Sequence, residues 1–280
     1  MNELSCGDWL ERNSSLEVRE SWARARQSME TPTDWSRASG CCFACRAVVL
    51  WKVPEGVDPM QPNIREQILC SRCGCNARVR TALALLREAV NAQTMPNIYV
   101  TEQATETYVW VQRNFGGNVQ GSEFAADAGA RETLTDYLQS IGGHGKVQFE
   151  DVTRLTFADS TFDGILSLDV LEHVPDYTQA LREFVRVLKP GGTLVATFPF
   201  TDGADTILRA RVTPGGEIEH ILEPEYHGDP ISGGVLCFNH FGWDVLQVAR
   251  AAGFSSVRMT MPRPADSAAW YGLWTLIAVR

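Results

Sequence analysis

The stretch "DVTRLTFADSTFDGILSLDVLEHVPDYTQALREFVRVLKPGGTLVATFPF", Asp151 to Phe200, decides the fold. Its apolar run "FDGILSL" is short and bounded by polar residues, the signature of a buried strand. A helix follows over "DYTQALREFVRVLK", because Leu181, Phe184, Val185 and Leu188 recur on one helical face. Asp176 followed three positions later by Gln179 is a capping-box start, and Pro190, Gly191 and Gly192 form the stop. "TLVATFPF" is the next strand. Strand, helix and strand in this order make one crossover unit of a parallel sheet.

Working outward, the same alternation extends towards the N-terminus. "NIYV" precedes the helical "ETYVWVQRNF", "VQGSEF" precedes "ARETLTDYLQSIGG", and "KVQFED" leads into the quoted block. Towards the C-terminus the pattern breaks at a long loop-like insertion, Thr201 to Phe238, of the kind that is functional or mobile in a compact domain. "HFGWDVLQVARAAGF" then reads as a helix, with "SSVRMTMP" and "LWTLIAVR" as a closing hairpin. The expectation is a doubly wound, mostly parallel α/β sheet with helices on both faces.

Residues 1–95 differ in character. Asp8 to Glu30 reads as a helix, Gly40 to Asn76 concentrates the cysteines, and Val79, Leu83, Leu86 and Val90 mark a second helix that ends near "TMPN". A domain boundary is therefore placed at 95/96. The formal charge of −9 is uneven, with 12 Lys+Arg against 11 Asp+Glu up to Met95 and 13 against 23 after it. An acidic main domain does not favour nucleic acid as a partner, although the neutral first part, with Arg72, Arg78, Arg80 and Arg87, remains a possible local contact surface. No basic start precedes an apolar run, and no segment approaches a membrane span, so the expected location is soluble and cytoplasmic, without a membrane partner.

Cys42-x-x-Cys45 and Cys70-x-x-Cys73 form two knuckles separated by 24 residues. Each presents two sulfurs on one side, and together they can close a tetrahedral thiolate site for structural Zn(II). Disulfides would need an oxidising compartment, a redox motif would need one pair only, and buried thiols would need no spacing at all. Cys41 and Cys75 leave the ligand choice open by one position at each end.

Three carboxylates fall at successive strand ends: Glu102, Glu123 and Asp151. Glu123 stands 21 residues after Glu102, close to the spacing of about 20 at which an acidic side chain accepts both hydroxyls of a ribose. A nucleoside site is the reading these positions support.

The Asp151 to Phe200 block closely resembles the class I S-adenosylmethionine-dependent methyltransferases, in particular the broad type 11 group, and the resemblance extends over roughly Pro96 to Arg280. It implies a Rossmann-like seven-stranded sheet with a reversed terminal strand, joined here to an N-terminal helical, zinc-ribbon-like module. It also implies S-adenosylmethionine as cofactor, with Asp151 and neighbouring Val152 at the adenine, Phe157 in an "LPF"-like turn, and Asp169 in the loop after the fourth strand. The first turn departs from the family pattern: Glu102, Gln103, Ala104 and Thr105 stand where an acidic residue and G-x-G are usual. S-adenosylmethionine has no pyrophosphate, so Thr101, Glu102, Gln103 and Thr105 could hold its amino and carboxylate groups in place of glycine-exposed backbone.

Methyl transfer needs alignment and, for a hydroxyl acceptor, a proton acceptor. His227, within "EPEYHGDP", and His173, within "LEHV", are the candidates, with His240 a third. The absence of "NPPY" after the fourth strand and the acidic main domain favour a hydroxyl on a small molecule or glycan. Two other readings remain: a scaffold that kept the fold and lost the cofactor, and an RNA-modifying enzyme that grips substrate with the Cys/Arg module.

Overall fold

In the computed structural model, residues 2–4, 34–42, 44–91, 94–228, 234–261 and 273–280 are described. The helix expected over Asp8 to Glu30 lies outside them. The chain divides into two units: Met1–Glu88 with Arg258–Thr275, and Ala89–Val257 with Leu276–Arg280.

The first unit starts with β1 (Asn2–Leu4), which pairs antiparallel with residues 259–261. Strands β2 (Ser39–Cys42), β3 (Ala47–Lys52) and β4 (Leu69–Cys70) form a small antiparallel sheet, with the one-turn helix α1 (Ile64–Gln67) between β3 and β4. Helix α2 (Ala77–Ala89) follows. Trp35 and Trp51 are buried, and the Arg80 guanidinium lies 4.3 Å from the Trp51 ring centroid. Arg80 also donates to the Ile68 carbonyl at 2.7 Å, so this buried cation ties α2 to the strand turns. Glu66 accepts from Arg78 and Asn76, closing the same region.

The second unit contains β5 (Asn97–Val100), α3 (Glu106–Asn114), β6 (Asn118–Gly121), α4 (Ala128–Ser140), β7 (Phe162–Leu168), α5 (Tyr177–Val187) and β8 (Leu188–Thr197). Six strands of two or three residues come next: β9 (Ile207–Leu208), β10 (Ala210–Val212), β11 (Ile218–His220), β12 (Tyr226–His227), β13 (Val235–Leu236) and β14 (Asn239–His240). Helix α6 (Val245–Ala252), β15 (Ser256–Met261) and β16 (Thr275–Val279) complete the chain.

The central sheet of this unit runs β6-β5-β7-β8-β16. The first four strands are parallel and β16 is antiparallel to β8. Central position explains composition: in β7 Phe162, Ile165, Leu166 and Leu168 are buried on both faces. Helix α5 buries Ala180, Leu181, Phe184 and Val187, and Asp176 caps it by accepting the Gln179 amide at 2.9 Å. Helix α6 ends at Gly253, whose φ of 119° suits a residue without Cβ.

Three sequence expectations change. "KVQFED" makes only an isolated parallel bridge, Glu123 to Phe149, so it is not a full strand. The Pro190-Gly191-Gly192 turn is a bulge inside β8: Phe162 pairs with Leu188, and Gly164 already pairs with Thr193. The long insertion is organised, with β10-β11, β12-β13 and β9-β14 as three antiparallel pairs. Such short strands carry no readable period, which is why the sequence shows only a loop. No helix among the described residues is long and apolar enough to cross a membrane.

Candidate functional site

Strand β5 lies between β6 and β7, so the chain leaves it to one side and later returns on the other. The carboxyl ends of β5 and β7 then form a topological switch point, where ligands bind in open α/β sheets. Thr101, Glu102 and Gln103 directly follow β5, Glu123 follows β6, and Asp169 follows β7.

Thr101 is buried, and its hydroxyl donates to the Ser167 Oγ at 3.3 Å, joining the tips of β5 and β7. Glu102 is half-buried in the turn, and its carbonyl accepts from Thr105 Oγ1 at 3.1 Å. Thr105 in turn caps α3 by accepting the Tyr108 amide at 3.1 Å. Gln103 is buried and its side-chain amide points to the neighbouring backbone: it donates to the Lys146 carbonyl at 3.0 Å and accepts from the Gln148 amide at 2.8 Å. The bulk that replaces a glycine is thus used to pin the segment leading to Asp151. Gly121 leaves room for this arrangement, since a Cβ there would meet Gln103 Cγ at 2.9 Å.

Glu123 Oε1 accepts the Ala104 amide at 2.6 Å, so the opening turn fixes the carboxylate at the tip of β6. Asp151 Oδ1 accepts both the amide and the hydroxyl of Thr153, at 2.8 and 2.7 Å, and Val152 is half-buried beside it. Phe157 packs edge-on to Tyr99 and Phe162, at 5.0 Å from each. Arg186 holds this loop by donating to the Leu155 and Phe157 carbonyls at 2.9 and 2.7 Å. Asp169, just past β7, has a φ of 56° and accepts from Thr197 Oγ1 at 2.8 Å. A non-glycine residue held in the left-handed region marks a strained, over-determined position of the kind found at ligand sites.

Three residues after Asp169 a second group begins. His173 Nδ1 lies 2.9 Å from the Leu236 carbonyl, to which it donates, and Nε2 is 3.9 Å from Glu172 Oε1. The His227 ring stands edge-on to it. His227 Nδ1 is 3.5 Å from Glu172 Oε1, and Nε2 is 3.1 Å from Glu225 Oε1. Contact with Glu172, reinforced by Glu225, raises the His227 imidazole to about 8. His240 Nε2 also meets Glu225, at 3.2 Å, and Arg209 meets the other Glu225 oxygen at 3.1 Å.

The sequence reading missed Glu172. It is fully buried, and neither carboxylate oxygen has a hydrogen bond. Burial pushes its carboxyl above the ordinary range, against the pull of His227. The available signal was adjacency, since Glu172 precedes a candidate histidine; its burial comes from residues more than sixty positions later, where the Phe238 amide donates to the Glu172 carbonyl at 2.7 Å.

In the first unit, Cys42, Cys45, Cys70 and Cys73 have sulfurs mutually within 4.8 Å. The Cys42–Cys73 and Cys45–Cys70 sulfur separations are 3.8 and 3.9 Å. A tetrahedral ion with Zn–S bonds of about 2.3 Å requires edges of about 3.8 Å. Amides of Cys45 and Cys73 point at the first sulfur of each knuckle, at 3.5 Å, as needed to offset thiolate charge. Cys75 donates to the Cys73 carbonyl and stands outside the four.

A family model described as "Methyltransferase domain" matches residues 113–196. Together with the fold, this match and the relatives support a class I S-adenosylmethionine-dependent methyltransferase domain. The chain is 27% identical over 237 residues to an arsenite methyltransferase of Aquipseudomonas alcaligenes, covering 81% of this chain and 59% of that protein. It is 36% identical over 87 residues to the methyltransferase GfsG of Streptomyces halstedii, covering 30% of this chain and 31% of that one. The chain therefore spans less than two thirds of these curated relatives. An S-adenosylmethionine-dependent methyltransferase of Mesorhizobium loti shares the fold with a TM-score of 0.50 at 17% identity, over 74% of this chain and 100% of that one.

Proposed function

We propose that the protein transfers a methyl group from S-adenosylmethionine to a hydroxyl of a small molecule or glycan. The observation that carries this reading is the set of carboxylates at adjacent strand tips, with Glu123 clamped by the Ala104 amide. Glu123 would accept the ribose hydroxyls, Asp151 and Val152 would border the adenine, and Thr101, Glu102 and Asp169 would border the amino-acid part. Gln103 acts one layer back, by holding residues 146–148 in place.

When bound, S-adenosylmethionine supplies an electrophilic methyl carbon on a sulfonium that leaves as a neutral thioether. The chain's own task is to place the acceptor oxygen in line with that carbon and to receive its proton. His173 suits the second task, because its Nδ1 donates to a carbonyl, so that Nε2 is the nitrogen of the neutral ring with a lone pair. His227 has both ring nitrogens facing carboxylates, Nδ1 towards Glu172 and Nε2 towards Glu225, which leaves neither turned to an acceptor hydroxyl. The geometry thus favours His173 over His227 as proton acceptor.

We infer likewise that Cys42, Cys45, Cys70 and Cys73 hold a structural Zn(II). Four thiolates leave no open position for chemistry, so the ion would order the turns of the first unit.

Calorimetry with S-adenosylhomocysteine tests the assignment. Micromolar binding that weakens in Glu123→Ala and Asp151→Ala supports it; absence of heat and of any thermal shift would favour a scaffold that kept the fold without the cofactor.

A further inference from the structure

We propose that Glu225, His227, Cys237 and His240 form a second metal site, which takes a Zn(II)-class ion and staples the insertion between β8 and α6. One donor atom from each of these four residues lies within 4.8 Å of the others. Two imidazoles, one thiolate and one carboxylate are the borderline-soft set that Zn(II) accepts in tetrahedral sites. His227 Nε2 and His240 Nε2 already converge on Glu225 Oε1 at 3.1 and 3.2 Å, and Cys237 is fully buried beneath them.

A second, independent observation is Glu172. Its carboxylate is fully buried, makes no hydrogen bond, and faces His227 Nδ1 at 3.5 Å, nearer than His173 Nε2 at 3.9 Å. A carboxylate behind the far nitrogen of a metal-bound histidine fixes the tautomer and ring orientation and raises ligand basicity. Without an ion, a buried carboxylate at that position has a costly and poorly satisfied role. With one, charges close: Glu172, Glu225 and a Cys237 thiolate face a divalent ion and Arg209.

The fold gives such an ion a purpose. Among the described residues from Ile207 to His240 the chain forms only two- and three-residue strands, with an apolar cluster of Ala210, Leu236 and Phe238. Strands this short with so small a core are marginal in water, and a metal would supply the missing folding energy. The ligands come from β12 and the residue before it, the residue after β13, and β14, so the ion would lock the wall that carries His173's partner, Leu236. All four positions are filled by protein, which makes the ion structural. The proposal does not rest on methyl transfer.

Elemental analysis of the full chain, purified from zinc-supplemented growth, tests it. Two Zn per chain are expected, falling to one in His240→Ala, one in Glu225→Gln, and one in the Cys42→Ser/Cys70→Ser variant, where the remaining ion is the one proposed here. Cobalt incorporated into that cysteine variant should show a thiolate charge-transfer band, which Cys237→Ser removes while the ligand-field bands persist. Glu172→Gln should retain stoichiometry but weaken affinity about 10- to 100-fold in competition with a chromophoric zinc chelator. Equal metal content in wild type and His240→Ala would overturn the site, as would a cysteine variant that holds no metal while circular dichroism shows the second unit folded. Should the cysteine variant not fold, the difference of one Zn between wild type and His240→Ala decides alone.

Discussion

His173 and His227 meet edge to face, with ring centroids 5.0 Å apart and an interplanar angle of 83°, and both look towards Glu172 Oε1, His227 through Nδ1 at 3.5 Å and His173 through Nε2 at 3.9 Å. One nitrogen of His173 is held by the Leu236 carbonyl, whereas both of His227 face carboxylates. The two rings should therefore fail differently when removed. His173→Ala should lower kcat by about 100-fold or more at unchanged S-adenosylhomocysteine affinity, as expected for loss of a general base. His227→Ala should act through the insertion, lowering thermal stability together with kcat. Equal kcat in wild type and His173→Ala would remove the base assignment.

Glu123 should dominate cofactor affinity. Its carboxylate is already oriented by the Ala104 amide, so little ordering remains when a ribose arrives. Hydrogen bonds to a charged group contribute about 1.5–3 kcal/mol, which corresponds to a loss of about 10- to 150-fold in Glu123→Ala. Gln103→Ala should also weaken binding, but through disorder of residues 146–148, visible as faster amide exchange there. Calorimetry and hydrogen exchange separate the two effects.

Much of this site was legible in the sequence because local pattern and final structure agree. Helix α5 announces itself through its apolar face and Asp176 cap, and β7 through an uninterrupted apolar run. "KVQFED" misled because its alternation is real but half its apolar face is left outside: Phe149 is 41% exposed and packs against Phe124, itself exposed. The donors around Glu225 were not legible as a group. They lie on segments too short for periodicity, and only the pairing of β12 with β13 and of β9 with β14 brings them together.

The Glu183–Arg186 pair should set part of the acid stability of the second unit. Arg186 donates to both Glu183 oxygens, at 2.9 and 2.7 Å, and holds that carboxyl below its ordinary range. The sign follows from the depressed value. The contribution is present above the unfolded carboxylate's pKa and is lost as pH falls through the lower folded one. Glu183→Gln should lower stability by on the order of 1 kcal/mol at pH 7, with the gap to wild type closing in acid. Because Glu183 also accepts the Leu155 amide at 2.8 Å, the variant should loosen the loop that carries Phe157. Thermal melts across the acid range would show this; a gap independent of pH would argue against the linkage.

Metal removal at the four-cysteine site should be read out by tryptophan fluorescence. Trp35 and Trp51 are buried in the same unit as the four sulfurs, and Trp51 is covered by Arg80, which donates to the Ile68 carbonyl just ahead of the second knuckle. Loss of the ion leaves four crowded sulfurs without a common partner, and burial then favours neutral thiols that no longer need the surrounding amides. The turns at Cys42–Cys45 and Cys70–Cys73 should open and let water reach both indoles. Chelation of wild type, or Cys42→Ser, should shift emission to longer wavelength and lower the melting temperature of the first unit. Trp51→Phe should remove part of that shift. Unchanged emission after complete zinc loss would show that the ion does not order these turns.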